Sequence, residues 1–320
     1  MDICLMIEGQ EGVTWQQWVA LARACEELGY EGLFRSDHYL SFYRPTEVGA
    51  LDAWGTITAL GAVTERIRLG SMVSPVTFRH PAMLAKAVVT ADEVSGGRVE
   101  LGLGAGWFER EHTAFGFPFP PLGERMDILA EQVEIVHRLW GADGDEVSFE
   151  GAHYRLEACP ALPRAIQSPH PWLIVGGGAG PRSAAIAARW ADEYDVVYVD
   201  PAGAKERIDR VSAACEAIGR DPSSVRRSLL SKTIVGTDER EVRRRAAELM
   251  AWEGEEGDVD AYLEDLRAKH IAGTVEQVLD RLAEYASAGI QRVLVHQLVH
   301  EDLGSVELIG REIVPAAAAL

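Results

Sequence analysis

Short apolar runs alternate with amphipathic stretches along the whole chain, and the join between them repeats. In "TWQQWVALARACEELGYEGLF" the apolar positions Trp18, Leu21, Ala22, Cys25 and Leu28 fall on one face of a helix. Thr14 and Gln17 have capping-box spacing at its start, and Gly29 offers a left-handed stop before the next apolar run. The same order recurs in "AVTERIRLGSMV", "ADEVSGGRVELGLG" and "EYASAGIQRVLVHQ". Runs that read as strands are Ile3 to Glu8, Gly32 to Ser36, Ile67 to Met72, Val99 to Leu103, Trp172 to Val175, Val196 to Val199, Ser228 to Val235 and Arg292 to His296. Strands alternating with helices in this way predict an α/β fold, a single (β/α)8 TIM barrel over residues 1–320. Two insertions interrupt the rhythm. After helix 4, residues 146–157 ("EVSFEGAHYRLE") read as a hairpin turning at Glu150-Gly151, and near strands 7 and 8 the acidic residues 253–265 are expected to cover or border something.

Length and composition agree with this: 320 residues, 47% of them hydrophobic, are enough for a barrel that commonly needs about 250. A net charge of −19, spread throughout, argues against nucleic acid or an anionic membrane as partner, since both need a basic face. Cys4, Cys25, Cys159 and Cys215 show no CxxC pair and no metal-ligand spacing, so they read as small apolar residues in a reducing compartment. The first residues pass directly into a strand without the features of a signal peptide, and no apolar run approaches the ~20 residues of a spanning helix. A cytoplasmic location is expected.

In such barrels the C-terminal ends of the strands carry the active site. Asp37 and His38 follow strand two, Ser71, Met72 and Ser74 close strand three, Gly104, Gly106 and Trp107 follow strand four, Gly176, Gly177 and Gly178 follow strand five, and His296 ends strand eight. His38 titrates near neutrality in its free state and suits proton exchange during redox chemistry; Asp37 is expected to orient it or to bond to a cofactor edge. In "IVGGGAGPRSAAIAARWAD" bare backbone meets a helix start, the makings of a phosphate seat or simply a tight turn; Pro181 suits the first helical turn and Arg182 could add a charge-assisted contact. Neither "GLGAGW" nor "GGGAGP" completes GxGxxG, because Trp107 and Pro181 stand at the final glycine, so no dinucleotide fingerprint is present. Trp107 and Phe108 are candidates for a wall against a planar cofactor, or for ordinary packing. "HQLVH", with His296 and His300, lacks the glutamate of HExxH and starts on a strand, so no metal site is expected there. His80 before Pro81 reads as a local cap or packing residue.

Together "SDH", "RIRLGSMVSPVTFRHPAMLAK", "SGGRVELGLGAGWFEREHTAFGFPF", "LGERMDILAEQVEIVHRLW" and "VGGGAGPRSAAIAARWADEYD" resemble the luciferase-like monooxygenase superfamily, in particular its actinobacterial branch dependent on coenzyme F420. The resemblance spans essentially the whole chain. It implies a tricyclic cofactor in the barrel mouth, F420 or alternatively FMN, with Asp37, His38 and Ser74 at the ring and Gly176, Gly177 and Gly178 at the phosphate. It also implies a non-prolyl cis peptide at Ser71-Met72, whose bulge presses the ring, and a homodimer. Trp107 stands where F420-dependent sugar-phosphate dehydrogenases of the family carry a glutamate, with Glu109 and Glu111 only weak substitutes, which puts sugar oxidation in doubt. The implied function is hydride transfer between F420 and a small organic substrate. The alternatives are an FMN-dependent monooxygenase fed with reduced flavin by a partner reductase and a catalytically silent cofactor-binding protein. Because F420 carries a phosphate and an anionic tail, Arg79, Arg182 and Lys232 are candidates to offset the acidic chain.

Overall fold

The computed structural model describes residues 1–320. From the N-terminus run β1 (Asp2–Ile7), α1 (Trp15–Leu28), β2 (Gly32–Arg35), α2 (Ala53–Val63), β3 (Arg68–Pro75), α3 (Pro81–Ser95) and β4 (Val99–Gly104). Then come α4 (Glu109–Phe115), α5 (Leu122–Gly141), the hairpin β5 (Glu146–Glu150) and β6 (Arg155–Pro160), β7 (Trp172–Gly177), α6 (Pro181–Trp190), β8 (Glu193–Val197) and α7 (Pro201–Ala217). The last part holds β9 (Arg226–Gly236), α8 (Glu239–Trp252), α9 (Val259–Lys269), β10 (Ile271–Thr274), α10 (Val275–Ser287), β11 (Arg292–His296), α11 (Leu303–Leu308) and α12 (Val314–Ala317).

β1, β2, β3, β4, β7, β8, β9 and β11 pair in parallel in that order, and β11 returns to β1, so the sheet closes into an eight-stranded barrel. Local chemistry works as the sequence suggests: Thr14 and Gln17 form the capping box of α1, Gly29 ends it at φ 81°, and His80 caps α3 by accepting the Ala82 N–H. Alternation along each strand sorts side chains to two faces. Ile3, Leu5 and Ile7 face the helices and join a core of 62 buried residues, while Cys4, Met6, Phe34, Met72, Ile174, Leu230 and Leu294 fill the barrel itself. Gly70 makes room for Phe34: a Cβ there would lie 2.6 Å from its ring and 2.7 Å from the Glu100 carbonyl.

Below that apolar layer lies a buried ionic one. Arg292, 2% exposed, lies 2.6 Å from Glu100 and 3.1 Å from Glu193, and Arg68 also pairs with Glu100. Burial works to raise both carboxyls, but the two arginines reverse this at Glu100, which is lowered; Glu193, opposed by the Glu100 charge, stays raised.

Three sequence expectations need correction. The cis peptide expected at Ser71-Met72 lies one bond later, at Met72-Val73. Ser71 pairs with Leu101 and Ser74 with Leu103, so the extra residue of the bulge is accommodated between them. The strand expected at Val196 to Val199 runs instead from Glu193 to Val197, because its inward positions Glu193 and Asp195 are polar and Tyr198 turns to φ 50°. β10 was not expected from the sequence; it pairs with the outer part of β9, from Thr233 to Gly236, beyond the residues that close the barrel.

Candidate active site

The strand C-termini open into a cavity of about 680 Å³. Its walls include the last inward positions of several strands and the turns behind them: Glu8 after β1, His38 after β2, Gly176 on β7, Val197 on β8, Lys232 on β9 and His296 on β11. Of the residues expected at the site, His38, Met72, Gly106, Trp107, Gly176, Gly177 and Gly178 line this cavity. Asp37, Ser71, Ser74 and Arg182 do not. The Ser74 hydroxyl donates to Asp37 at 2.6 Å, Arg79 donates to the same carboxylate at 2.5 Å, and Ser71 donates to the Gly102 carbonyl at 3.2 Å, all behind the wall. Asp37, adjacent to His38 in sequence, therefore does not orient it.

Glu111 takes that place. His38 Nδ1 lies 2.8 Å from Glu111 Oε2, and the other carboxylate oxygen accepts the N–H groups of Tyr39 and Leu40. Glu111 is fully buried in the first turns of α4, so one carboxylate fixes both the imidazole and the backbone that carries it. An acceptor at Nδ1 sets the proton there and leaves Nε2 with its lone pair. Edge contacts with Phe42 and Trp107 complete the pocket of the ring; Trp107 itself is 63% exposed at the rim. Glu11 works on the same loop from the other side, accepting from the Ser41 hydroxyl at 2.6 Å and the Phe42 N–H at 2.8 Å.

Of a second polar group, the sequence placed only His296 at the strand ends; Tyr198 and Glu8 were missed. The Tyr198 hydroxyl lies 2.6 Å from His296 Nδ1, and His296 Nε2 lies 2.8 Å from Glu8 Oε1. Gln10 Nε2 donates to the other Glu8 oxygen at 2.7 Å. Burial alone would raise the Glu8 carboxyl, but the His296 contact and the neighbouring charges of His296 and His38 bring it down to about 2. Asp195 receives the Ser228 hydroxyl at 3.0 Å, and burial pushes it well above the usual carboxylate range. The signal that could have found Glu8 is positional: like Lys232 and His296, it takes the third inward step on its strand, as 4-6-8, 228-230-232 and 292-294-296.

The cations proposed to offset a cofactor tail are already engaged. Arg79 pairs with Asp37 and Asp52, Arg182 with Asp127, and Lys232 with Glu253 at 2.5 Å. Glu253 also accepts from Tyr43 and Tyr262, so the acidic insertion borders the cavity mouth as expected. No group of three or more His, Cys, Asp or Glu converges as metal ligands.

The glycine turn after β7 has room for a phosphate. A Cβ on Gly178 or Gly180 would meet nothing within 4 Å, and the N-terminus of α6 has no side-chain cap on its first-turn N–H groups. Open backbone, an uncapped helix start and the adjoining cavity fit a phosphate-bearing ring cofactor.

His270 packs edge-on to Tyr198, and burial, with Lys232 nearby, draws its pKa from 6.5 to about 4. Between those values the unfolded chain binds a proton that the folded chain does not, so this contribution is complete above pH 6.5 and is lost as pH falls towards 4. His270→Gln is expected to shrink the drop in melting temperature between pH 7 and pH 5, roughly the span of a histidine titration. An unchanged drop would assign the acid sensitivity to other groups.

Three comparisons with known proteins bear on the site. The family model for luciferase-like monooxygenases matches residues 3–292. An F420-dependent hydroxymycolic acid dehydrogenase from Mycobacterium tuberculosis is 30% identical over 91% of this chain and 78% of its own length. An FMNH2-dependent dimethylsulfone monooxygenase from Pseudomonas putida is 26% identical over 94% and 87%. Among solved structures, an F420-dependent secondary alcohol dehydrogenase in complex with an F420-acetone adduct superposes with a TM-score of 0.81 at 20% identity. It covers 99% of this chain and 98% of that one, a likeness of fold.

Proposed function

The chain belongs to the luciferase-like monooxygenase family, and from that premise we propose that it is an oxidoreductase that binds coenzyme F420 and exchanges a hydride with a small organic substrate. One observation carries this reading: an open glycine turn suited to phosphate and a histidine held by a buried glutamate meet in one cavity at the strand C-termini. The bound deazaflavin supplies the two-electron chemistry. Gly176 to Gly178 and the start of α6 would hold the phosphate, and Met72 and Val73 on the β3 bulge would form one wall for the ring. His38 holds or moves a proton at Nε2, and Glu111 keeps it oriented. The reading takes residues 1–320 as one domain from the unbroken strand–helix rhythm, the protein as cytoplasmic from its cysteine usage, and as homodimeric on the strength of the resemblance.

Fluorescence titration with F420 and FMN side by side tests the cofactor. F420 is expected to bind more tightly, with little dependence on ionic strength because Arg79, Arg182 and Lys232 already have acidic partners. Tighter FMN binding would favour the second reading, a monooxygenase supplied with reduced flavin, which the relationship to the dimethylsulfone monooxygenase supports.

A further inference from the structure

We propose that Tyr198, His296 and Glu8 form a second acid–base relay in the cavity, with the Tyr198 hydroxyl as the catalytic group for an uncharged substrate bearing a hydroxyl or carbonyl oxygen. The assignment rests on the oxidoreductase reading above and extends it to the substrate.

Three features carry it. The first is proximity: the Tyr198 hydroxyl lies 2.6 Å from His296 Nδ1, the Glu8 carboxylate lies 2.8 Å from Nε2, and all three residues line the cavity. The second is the backbone of Tyr198, at φ 50° in the left-handed region that glycine favours. A bulky residue is held there only when surrounding structure demands it, and such positions cluster where a side chain must be aimed. Here the strain directs the phenol from the end of β8 across β9 to a histidine on β11. The third is charge. Glu8 and Asp195 face the cavity, and its one lysine, Lys232, is neutralised by Glu253. A phosphorylated or carboxylated substrate would meet the Glu8 carboxylate and the Asp195 acid, and no free cation.

Polarity along the relay follows from its ends. The Glu8 carboxylate lies 2.8 Å from His296 Nε2 without the alignment of a hydrogen bond, and its charge favours the ring proton on that nitrogen, so when the ring is neutral Nδ1 accepts from the Tyr198 hydroxyl. When the substrate alcohol is oxidised, its O–H bond breaks and the proton goes to the Tyr198 oxygen as the phenol's own proton passes to Nδ1. The resulting imidazolium lies against Glu8. The C–H bond at the same carbon breaks with its electron pair leaving as hydride to the two-electron oxidant, a deazaflavin under the proposed function, and a carbonyl results. In reduction every transfer reverses. Other titratable groups facing the relay are Lys232 beside His296 in the β9–β11 register, Asp195 in the same cavity, His270 against the Tyr198 ring, and His38 near Glu8. Tyr198 makes contact with the substrate, His296 passes the proton, and Glu8 is a positioning residue.

Nitrogen-15 NMR of the cofactor-free protein is the first test. His296 is expected as the neutral ring protonated at Nε2, with Tyr198→Phe shifting its Nδ1 resonance. A ring protonated at Nδ1, or an Nδ1 signal indifferent to Tyr198→Phe, would overturn the relay. The second test uses 2-propanol and acetone as probes with F420, a pair too small for cavity shape to exclude. Wild type is expected to interconvert them, and Tyr198→Phe to lower kcat by about 10²-fold or more with KM little changed. Turnover of neither probe by enzyme shown to bind F420, or an unchanged kcat in Tyr198→Phe, would overturn the substrate assignment. Failure to bind F420 at all would remove the F420 reading, and the NMR result would still decide the relay.

Discussion

Replacing His38 by alanine is expected to slow turnover by roughly 10² to 10⁴-fold while leaving cofactor affinity close to wild type. The ring lines the cavity and is held through Nδ1 by a buried carboxylate, so its loss removes the proposed proton carrier and leaves the glycine turn untouched. Stopped-flow absorbance of the cofactor, paired with a binding titration, checks both halves. Glu111→Gln is expected to act in the same direction, since an amide cannot accept the imidazole and two backbone N–H groups as the carboxylate does. A His38→Ala variant that turns over at the wild-type rate would take His38 out of the mechanism.

The largest effect on stability is expected at Arg292. Arg292→Leu should cost about 3–5 kcal/mol, because it strips the counter-charge from Glu100 and Glu193 inside the closed end of the barrel. Arg68 still reaches Glu100 but is not paired with Glu193, so the burden falls unevenly on the two acids. Urea unfolding gives the measurement, and adding Glu100→Gln to Arg292→Leu should recover part of the loss. A free energy unchanged by Arg292→Leu would mean that both carboxyls are already neutral in the folded protein.

The barrel was legible because its rule is local: a strand, a turn and an amphipathic helix each declare themselves within a dozen residues. His38, the glycine turn and Trp107 were legible for the same reason, since each follows a strand directly. Partners were harder. Asp37 looked like the companion of His38 by adjacency, yet successive residues face different ways, and the companion is Glu111, 73 residues away. Tyr198 was hidden because its strand was placed too late, its inward positions being polar where an apolar run was sought. Arg79, Arg182 and Lys232 looked available because sequence displays charges but not the acids that fold onto them.

The eleven residues of β9 serve two structures in succession. As far as Lys232 the strand is a stave of the barrel, and from Thr233 it belongs to a flap built with β10 and bordered by α8 and α9. The seam between those duties offers a splice point: the segment from Thr237 to His270 can be traded for a relative's without cutting a bond that closes the barrel. Lineages that diversify by remodelling what overhangs the mouth would find in this one long strand a hinge between inheritance and novelty.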